Sequence, residues 1–289
     1  MARKMSSSDE LLSENLFSLK GKIALITGGG SGIGKMIAKG FVQNGCRVYI
    51  ASRRKELLKK TAEELNCLRG SGECIPIEVD LNSKASCERL ATEIGKGENG
   101  KLDILVNNSG MGLDTTLTDV PEIAWDKILK LNVISIFYLT IACIPLLEKA
   151  SHKPYDPSRV IVIGSISGIA EGDLRGIVEA TKVTSLPYNV SKAAVHNVAM
   201  NLAVNLTPRG INVNVIAPGI MITPMTNKLD ILSCISEVPQ GRLGNEMDMV
   251  GSALYLASRA GSWVSGVVIP VDGGTILRNK EWSMFLAKL

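Results

Sequence analysis

The stretch KIALITGGGSGIGKMIAKGFVQ, residues 22–43, joins an apolar segment, a glycine-rich turn and an amphipathic segment without interruption. KIALIT (22–27) has the β-branched composition of a buried strand, and Lys35–Gln43 has the periodicity of a helix. The intervening glycines follow G-x-x-x-G-x-G rather than G-x-G-x-x-G: Gly28, Gly32 and Gly34. Between a strand and a helix, glycines let the backbone approach a pyrophosphate, to which the helix N-terminus offers free N–H groups. The stretch predicts an α/β fold with a dinucleotide-binding turn; the alternative is a flexible turn without a ligand.

The same alternation of strand and helix continues along the chain. Further apolar, β-branched runs are RVYIA (47–51), ECIPIEV (73–79), LDILVN (102–107), RVIVIG (159–164), INVNVIA (211–217) and VVIPVD (267–272). Segments with helical periodicity between them include Lys55–Leu65, Ala124–Leu147, Ala193–Leu206 and Met247–Ala257. Near-continuous apolar strands separated by helices indicate a parallel sheet covered on both faces, with right-handed crossovers. We expect a single-domain, Rossmann-type doubly wound α/β sheet of about seven strands.

Composition and charge argue against several functions. The chain of 289 residues is 45% hydrophobic and 21% charged, which is ordinary for a globular protein. Its net charge of +4 is spread along the sequence, so we expect no nucleic-acid partner, because such binding needs a clustered basic surface. The six cysteines form no C-x-x-C pair and there are only two histidines, so we expect no metal site and reduced intracellular thiols. No apolar run approaches the length of a membrane span.

The two ends of the chain differ from the body in composition. Residues 1–18 are polar and lack the apolar segment of a signal peptide, so we expect a mobile extension before a domain of residues 19–289. We expect that domain to include a C-terminal tail at residues 276–289. The tail ends in AKL, which is close to the S-K-L peroxisomal address. Peroxisomal import and a chance tripeptide in a cytoplasmic protein both remain open.

The residues after the second strand indicate which dinucleotide is bound. A carboxylate at this place accepts from the free ribose 2′-hydroxyl of NAD(H), whereas an arginine pairs with the 2′-phosphate of NADP(H). This chain has Ala51-Ser52-Arg53-Arg54 and no carboxylate. A guanidinium binds a phosphate through charge-assisted hydrogen bonds, so we predict NADP(H) as the cofactor. The alternative is a solvated helix start with one or both arginines merely exposed, Arg54 more readily than Arg53.

A set of short motifs occurs in a fixed order along the chain. They are TGGGSGIG (27–34), VDL (79–81), NNSG (107–110), Asn132 in LKLNVIS, GSISG (164–168), YNVSK (188–192), APG (217–219) and VDGG (271–274). Each is weak alone, but together they resemble the short-chain dehydrogenase/reductase family from about Leu19 to Thr275. Within that family the chain is most similar to NADPH-dependent β-ketoacyl reductases, notably the type that supplies rhamnolipid synthesis, and to microbial carbonyl reductases.

The resemblance implies a set of cofactor-binding residues. By this likeness Asp80 and Leu81 lie against the adenine, and Thr223 reaches the nicotinamide carboxamide. Asn107 and Gly110 line the cofactor cleft. The full implied set is Gly28, Ser31, Gly32, Ile33, Gly34, Ser52, Arg53, Arg54, Asp80, Leu81, Asn107, Ser109, Gly110, Tyr188, Lys192, Pro218, Gly219 and Thr223. Asp80 could instead cap the helix that follows its strand, and Asn107 could belong to a plain turn.

The stretch LPYNVSK, residues 186–192, carries the proposed proton donor. Tyr188 and Lys192 are four residues apart, so on a helix they share a face. An unperturbed tyrosine has a pKa of about 10, and a neighbouring cation stabilises the phenolate. We therefore expect Lys192 to lower the pKa of Tyr188 toward neutrality, where acid–base exchange is efficient. In the family this lysine also binds the nicotinamide ribose.

Two more residues complete the catalytic set that the resemblance implies. Ser165 would hydrogen-bond the substrate oxygen as charge develops on it, with Ser167 as the rival candidate. Asn132 would hold a water that relays protons to Lys192; alternatively, its side chain satisfies only neighbouring backbone. His196 follows Lys192 by one helical turn and is interpreted as a packing or interface residue.

One segment is expected to shape substrate access or a subunit contact, and another to form a substrate lid. Ser165 and Tyr188 are 23 residues apart, about ten more than is usual in the family, so residues 170–187 contain an insertion of a kind that loops tolerate. Residues 220–243 are expected to form a substrate lid. Its apolar side chains suit an acyl substrate, or else pack on the body: Met221, Met225, Leu229, Ile231 and Leu232. Asp272 in VDGG is expected to organise a turn.

These observations favour one activity over two others. We expect an enzyme that reduces a ketone, in a carbonyl or 3-oxoacyl substrate, to a secondary alcohol with NADPH. The first alternative is a peroxisomal enoyl-thioester reductase, which delivers hydride to a C=C bond; the second is a non-catalytic NADP(H)-binding protein. The resemblance also implies a homo-oligomer, a tetramer in many family members.

Overall fold

A computed structural model describes residues 11–152, 154–170, 185–224, 226, 231–236 and 238–277. Its centre is one seven-stranded sheet, entirely parallel, in the order β3-β2-β1-β4-β5-β6-β7. The strands are β1 (Ile23–Thr27), β2 (Arg47–Ser52), β3 (Glu73–Glu78), β4 (Ile104–Asn107), β5 (Ser158–Ile163), β6 (Ile211–Pro218) and β7 (Val268–Val271). The predicted doubly wound α/β sheet is therefore confirmed, and every predicted apolar run contains its strand within a residue or two.

Helices connect the strands and cover both faces of the sheet. They are α1 (Ser13–Leu16), α2 (Gly32–Gln43), α3 (Lys55–Asn66), α4 (Lys84–Gly97), α5 (Glu122–Leu129), α6 (Ser135–Ala150), α7 (Leu186–Leu206), α8 (Ile231–Ser236) and α9 (Glu246–Ala257). On one face α4, α6 and α7 pack into a shared apolar core, and on the other α2, α3 and α9 do so. Leu19, where the domain was predicted to begin, is fully buried in the second of these cores.

The strand order reverses direction between β1 and β4, and this reversal positions the site. From β1 the chain steps outward to β2 and β3, and then returns to place β4 on the other side of β1. In open parallel sheets a ligand crevice forms outside the carboxyl ends of the strands at such a switch point. Thr27, Ala51 and Asn107 end or nearly end their strands at that edge.

The long helix predicted over Ala124–Leu147 is interrupted. Residues Lys130–Ile134 form a single π-helical turn between α5 and α6. Such a turn inserts one extra residue into a helix and is frequent at functional sites. The apolar periodicity continues through the turn, which is why the sequence pattern did not reveal it. Asn132 lies at its centre.

Among the described residues, one helical stretch, Glu122–Ala150, has the length and hydropathy of a membrane span. Its apolar side chains instead pack in the core on the α4–α7 side of the sheet, among them Ile136, Leu139, Cys143 and Leu147. We therefore interpret this stretch as a core helix of the α/β domain.

Candidate active site

Glycines are needed in the turn after β1 for two different reasons: some positions have no room for a Cβ, and another has a left-handed backbone beside open space. A Cβ on Gly28 would lie 2.8 Å from Asn108 Nδ2, and one on Gly34 would overlap that atom and lie 2.5 Å from the Gly28 carbonyl oxygen. At these two positions the protein's own packing therefore leaves no room for a side chain. Gly32 has a φ of +54°, and its nearest neighbour would be Thr223 at 3.8 Å, so its surroundings are open. Gly32 thus combines a left-handed backbone with the room that a ligand needs.

The N-terminus of α2 faces this open space without a side-chain cap. Ser31 occupies the N-cap position but makes no capping hydrogen bond; its hydroxyl accepts from the Arg54 guanidinium at 2.8 Å. The first N–H groups of the helix therefore have no side-chain acceptor there, and the helix dipole favours an anion at this end. Together with the open side of Gly32, this arrangement fits a pyrophosphate.

The end of β2 supplies the positive charge predicted for the cofactor's phosphate. Arg53 and Arg54 are both exposed, and the backbone N–H of Arg54 donates to Ser52 Oγ at 3.3 Å. The sequence favoured Arg53 as the phosphate ligand, whereas in the structure Arg54 is the arginine held against the glycine turn. The Arg54 guanidinium and the hydroxyls of Ser31 and Ser52 lie together, with the exposed Arg53 next in the chain, and this polar set suits a 2′-phosphate.

Of the two residues in VDL that are predicted to lie against the adenine, one is exposed and the other is buried. Asp80 is exposed and accepts from Asn82 Nδ2 at 2.9 Å, whereas Leu81 is buried. The alternative role of Asp80 as a helix cap is wrong, because Ser83 caps α4 by accepting from Ser86 N at 3.1 Å. The Asp80 carboxylate thus remains available at the strand end.

The turn after β4 is held to the turn after β1 by Thr27 and Asn108, which lie in the predicted motifs but had no predicted role of their own. Thr27 Oγ1 accepts from the backbone N–H groups of both Asn108 and Ser109 at 2.9 Å, and Asn108 Nδ2 donates to the Thr27 carbonyl at 2.8 Å. The side chain of Asn107 is buried and donates to Thr140 Oγ1 at 3.0 Å. The Asn107 amide nitrogen is therefore directed to α6.

Tyr188 and Lys192 lie on α7 as expected, and this helix begins at Leu186, ahead of the periodic segment Ala193–Leu206. Pro187 occupies its first turn, where a missing N–H is tolerated and the fixed φ is already helical. Lys192 is only 5% exposed, its Nζ donates to the Ile163 carbonyl at 2.8 Å, and it lies 5.5 Å from the centroid of the Tyr188 ring. The helix thus directs both side chains toward the carboxyl end of β5.

The pKa values at this pair differ from the expectation. Burial raises the pKa of Tyr188, and a hydrogen bond with Ser165 opposes that rise only in part. Burial also lowers the pKa of Lys192 to about 8. The prediction that Lys192 brings the pKa of Tyr188 toward neutrality is therefore wrong for the protein alone, because desolvation of the phenolate raises this pKa more than the interaction with Ser165 lowers it.

Ser165 is the serine that contacts the tyrosine. It is buried, immediately follows β5 and Gly164, and is close enough to the Tyr188 hydroxyl to lower the pKa of that group. Its Oγ also accepts from the Ser167 backbone N–H at 3.1 Å. Ser167, the rival candidate, therefore contributes its main chain to the orientation of Ser165.

Asn132 is fully buried and connects three parts of the site. Its Oδ1 accepts from Met111 N at 2.9 Å, while its Nδ2 donates to the Met111 carbonyl at 2.8 Å and to Ser191 Oγ at 3.0 Å. A Cβ on Gly110 would lie 3.4 Å from Asn132 Oδ1 and 3.8 Å from Lys192 Nζ. The side chain thus does satisfy neighbouring backbone, and the residue is also close to Lys192.

The loop after β4 covers one side of the tyrosine. A Cβ on Gly112 would lie 3.4 Å from Tyr188 Cδ2, so the glycine passes close beside the ring. Two residues later, Asp114 accepts a hydrogen bond from the Ser185 hydroxyl, just before α7. This loop is therefore fastened at both ends, by Asn132 to Met111 and by Ser185 to Asp114.

Residues after β6 and β7 pack against each other where the nicotinamide is predicted to bind. A Cβ on Gly219, which follows Pro218, would lie 2.8 Å from Asp272 Cβ, and Gly219 N donates to the Val271 carbonyl at 3.0 Å. Asp272 accepts from Gly274 N at 2.9 Å and from Ile276 N at 2.8 Å, which confirms its predicted role in a turn. Thr223 faces Gly32 across the crevice.

Part of the predicted lid is buried in the protein, and part of it is exposed to solvent. Met221 is buried in the main core, and Cys234, Val238 and Leu243 form a small cluster of their own. Ile231 and Leu232 on α8 are exposed. Met225 and Leu229, like most of the 170–187 insertion, the first ten residues and the AKL ending, lie outside the described residues, so peroxisomal import stays a prediction.

His196 is buried, as a packing residue would be, and is not at the surface. It lies one turn beyond Lys192, and its Nε2 accepts from the Ser165 backbone N–H at 3.4 Å. Burial, aided by the charge of Lys192, lowers its pKa to about 4.

Comparison with known proteins agrees with this geometry. The family model described as short chain dehydrogenase matches residues 22–231. The rhamnolipids biosynthesis 3-oxoacyl-[acyl-carrier-protein] reductase of Pseudomonas aeruginosa is 41% identical over 263 residues, covering 89% of this chain and 97% of its own length. The short-chain dehydrogenase/reductase PhomF of Diaporthe leptostromiformis is 36% identical, covering 94% and 98% of the two chains.

A solved structure extends the likeness to three dimensions. The Pseudomonas aeruginosa RhlG/NADP active-site complex superimposes with a TM-score of 0.82 at 39% sequence identity, covering 90% of this chain and 98% of that one.

Proposed function

Because the chain belongs to the short-chain dehydrogenase family of oxidoreductases, we propose that it uses NADPH to reduce a ketone to a secondary alcohol, with Tyr188 as proton donor. The observation that carries this proposal is the joint placement of three side chains at the end of β5. Ser165 is close enough to the Tyr188 hydroxyl to lower its pKa, and the buried Lys192 Nζ lies 5.5 Å from the centroid of the tyrosine ring. A donor, an oxygen-binding hydroxyl and a cation are what carbonyl reduction requires of a protein.

The chain's own residues handle the proton and the oxygen. When bound, NADPH supplies the hydride that the carbonyl carbon receives. The substrate oxygen accepts hydrogen bonds from Ser165 and Tyr188, and Tyr188 transfers its proton to that oxygen as the negative charge develops. Lys192, with a pKa of about 8, is mostly protonated at neutral pH and stabilises the resulting phenolate. We assign proton return to Lys192 with Asn132, in accord with the family role of this pair.

NADPH is preferred over NADH in this proposal because of the cluster after β2. Arg54 is hydrogen-bonded to Ser31 and Ser52 there, Arg53 precedes it, and the stretch Ala51-Ser52-Arg53-Arg54 carries no carboxylate to repel a 2′-phosphate. The aligned Pseudomonas structure is an NADP complex, which supports the same choice.

A 3-oxoacyl substrate is the specific class that we propose. The Pseudomonas relative is named as a 3-oxoacyl-[acyl-carrier-protein] reductase. The exposed apolar side chains of Ile231 and Leu232 on α8 belong to the predicted substrate lid and suit contact with an acyl chain. The Ser165 and Tyr188 hydroxyls lie together, which suits the oxygen of a ketone as negative charge develops on it.

We also propose a homotetramer, because two separate surfaces expose apolar side chains. One lies on the outer sides of α6 and α7, with the π turn before them: Ile134, Phe137, Ile141, Val190, Met200 and Val204. The other lies near the edge strand β7: Tyr255, Trp263 and Val267. Two independent self-complementary contacts are the minimum for a tetramer with D2 symmetry. Size-exclusion chromatography with light scattering tests this assembly, and a monomer would contradict it.

The proposed reaction is tested by NADPH consumption with ketone, 3-oxoacyl-thioester and enoyl-thioester panels. We expect turnover of 3-oxoacyl substrates and its loss in Tyr188→Phe. Turnover that survives in Tyr188→Phe would refute the proton donor, and consumption with enoyl thioesters alone would establish C=C reduction instead. NADPH binding without turnover of any panel member would indicate a non-catalytic protein.

A further inference from the structure

Three side chains on one face of α7, one from each of three successive turns, lie against residues 163–165. Tyr188 reaches the Ser165 hydroxyl, Lys192 reaches the Ile163 carbonyl, and His196 reaches the Ser165 N–H. The three residues follow at intervals of four, so each lies one turn below the last. The proposed reaction uses the first two; the third is buried and has no role in it.

Gly164 is shaped to admit the histidine. A Cβ at this position would overlap His196 Nε2 and lie 2.8 Å from Val215 Cγ1. No other residue type can therefore stand between β5 and Ser165 while the imidazole keeps its place. The ring fills this space with its acceptor nitrogen against the first turn after the strand.

The contact also fixes the protonation state of the ring. A backbone N–H can only donate, so the Nε2 that accepts from Ser165 carries no proton. The ring is therefore neutral, with its proton on Nδ1. An imidazolium would direct a second N–H at that of Ser165 and place a second cation near Lys192.

We propose that His196 is a positioning residue, whose neutral imidazole holds the backbone of Ser165 so that the serine hydroxyl meets both Tyr188 and the substrate oxygen. This inference rests on the proposed function, in which Ser165 contacts that oxygen. The low pKa of about 4, caused by burial and then by Lys192, agrees with a ring that stays neutral throughout the working range.

Two substitutions separate the hydrogen bond from the volume of the ring. His196→Leu removes the acceptor but keeps a side chain of similar size, whereas His196→Gln can return an acceptor oxygen near the place of Nε2. We expect the leucine variant to lose roughly fivefold to tenfold in kcat, the equivalent of one hydrogen bond, with an unchanged dissociation constant for NADPH. The glutamine variant should recover most of that loss.

Two results would overturn the inference. One is a leucine variant with wild-type kcat; the other is equal damage in both variants, which would assign the effect to packing alone. His152→Gln, at the chain's other histidine, is the control and should leave kcat unchanged.

A measurement without turnover separates this inference from the proposed reaction. The ring nitrogens of the two histidines can be resolved by ¹H–¹⁵N NMR, with His152→Gln assigning the signals. We expect the Nδ1–H tautomer at His196 from neutral pH down to pH about 5, since its pKa is about 4; an Nε2–H tautomer would refute the hydrogen bond. A wild type that reduces no ketone would contradict the proposed reaction alone, because the tautomer would still test the contact.

Discussion

Lys192 Nζ donates to the carbonyl oxygen of Ile163, the last residue of β5, at 2.8 Å. The bond holds an almost fully buried ammonium group between the sheet and the ring of Tyr188. Burial of a charge opposes folding, so the site places a destabilising group where catalysis needs it.

Substitution of Lys192 by methionine should abolish turnover and stabilise the fold at neutral pH. The folded pKa of about 8 lies below the ordinary 10.5, so burial of the charge penalises the folded protein fully below pH 8. The penalty disappears as pH rises to 10.5, where the unfolded chain also loses its proton. Allowing for the lost bond to Ile163, we expect Lys192→Met to gain about 1–2 kcal/mol at pH 7.

Urea unfolding at one protein concentration measures this gain at pH 7 and again near pH 10. The difference between wild type and variant should shrink at the higher pH. A variant that is less stable at pH 7 would show that the bond to Ile163 outweighs desolvation.

Arg54→Ala should weaken NADPH binding selectively. The guanidinium is held to Ser31 beside the predicted phosphate site, and loss of a charge-assisted contact costs about 1.5–3 kcal/mol. We expect the KM for NADPH to rise at least tenfold while the KM for NADH changes little. Arg69→Ala, at another exposed arginine, is the matched control. An equal effect on both cofactors would assign Arg54 to the fold of the turn instead.

Gly34→Ala should prevent the glycine turn from closing. The added methyl group would overlap Asn108 Nδ2 and lie 2.5 Å from the Gly28 carbonyl, with backbone on one side that cannot move away freely. We expect a loss of about 1–3 kcal/mol in the free energy of unfolding and weaker NADPH binding. Gly251→Ala, where a Cβ meets nothing within 4 Å in α9, should be neutral or slightly stabilising. Thermal unfolding of the pair would contradict this reasoning if the two variants behaved alike.

Acid should destabilise the wild type more than His196→Leu. The folded pKa of about 4 lies below the ordinary 6.5, so between these values the unfolded chain binds a proton that the folded protein excludes. Stability is therefore lost as pH falls from 6.5 toward 4, by up to roughly 3 kcal/mol from this residue. The difference in free energy of unfolding between the two proteins, followed over that range, isolates the histidine from the carboxylates. A difference that does not change with pH would refute a neutral buried ring.

Residues 171–184 join Ala170 to Ser185 along the chain. The Ser185 hydroxyl donates to Asp114, in the loop after β4 that covers one side of Tyr188. We predict that this added segment shapes substrate access. Shortening it to the usual family length should change the ranking of ketone substrates by kcat/KM. If only the thermal stability fell and the ranking stayed the same, the segment would have no such role.

Sequence periodicity was sufficient to predict the sheet, because buried parallel strands are continuously apolar and the helices between them are amphipathic. It also located the glycine turn and the Tyr188–Lys192 pair, since chain-local spacing determines which residues share a turn or a helix face. It did not reveal the π turn around Asn132, because the apolar pattern of α5 and α6 passes through that turn unbroken.

The contacts between distant segments depend on tertiary structure alone. Thr27 meets Asn108 and Ser109 only because β1 and β4 are neighbours, and His196 meets Ser165 only because α7 packs beside β5. The raised pKa of Tyr188 also depends on tertiary structure, because burial causes the rise and the spacing of residues along the chain does not specify burial. The sequence by itself therefore determined the strands, the turn and the reactive residue types, and the packing of strands separated along the chain decided which groups meet and how they are charged.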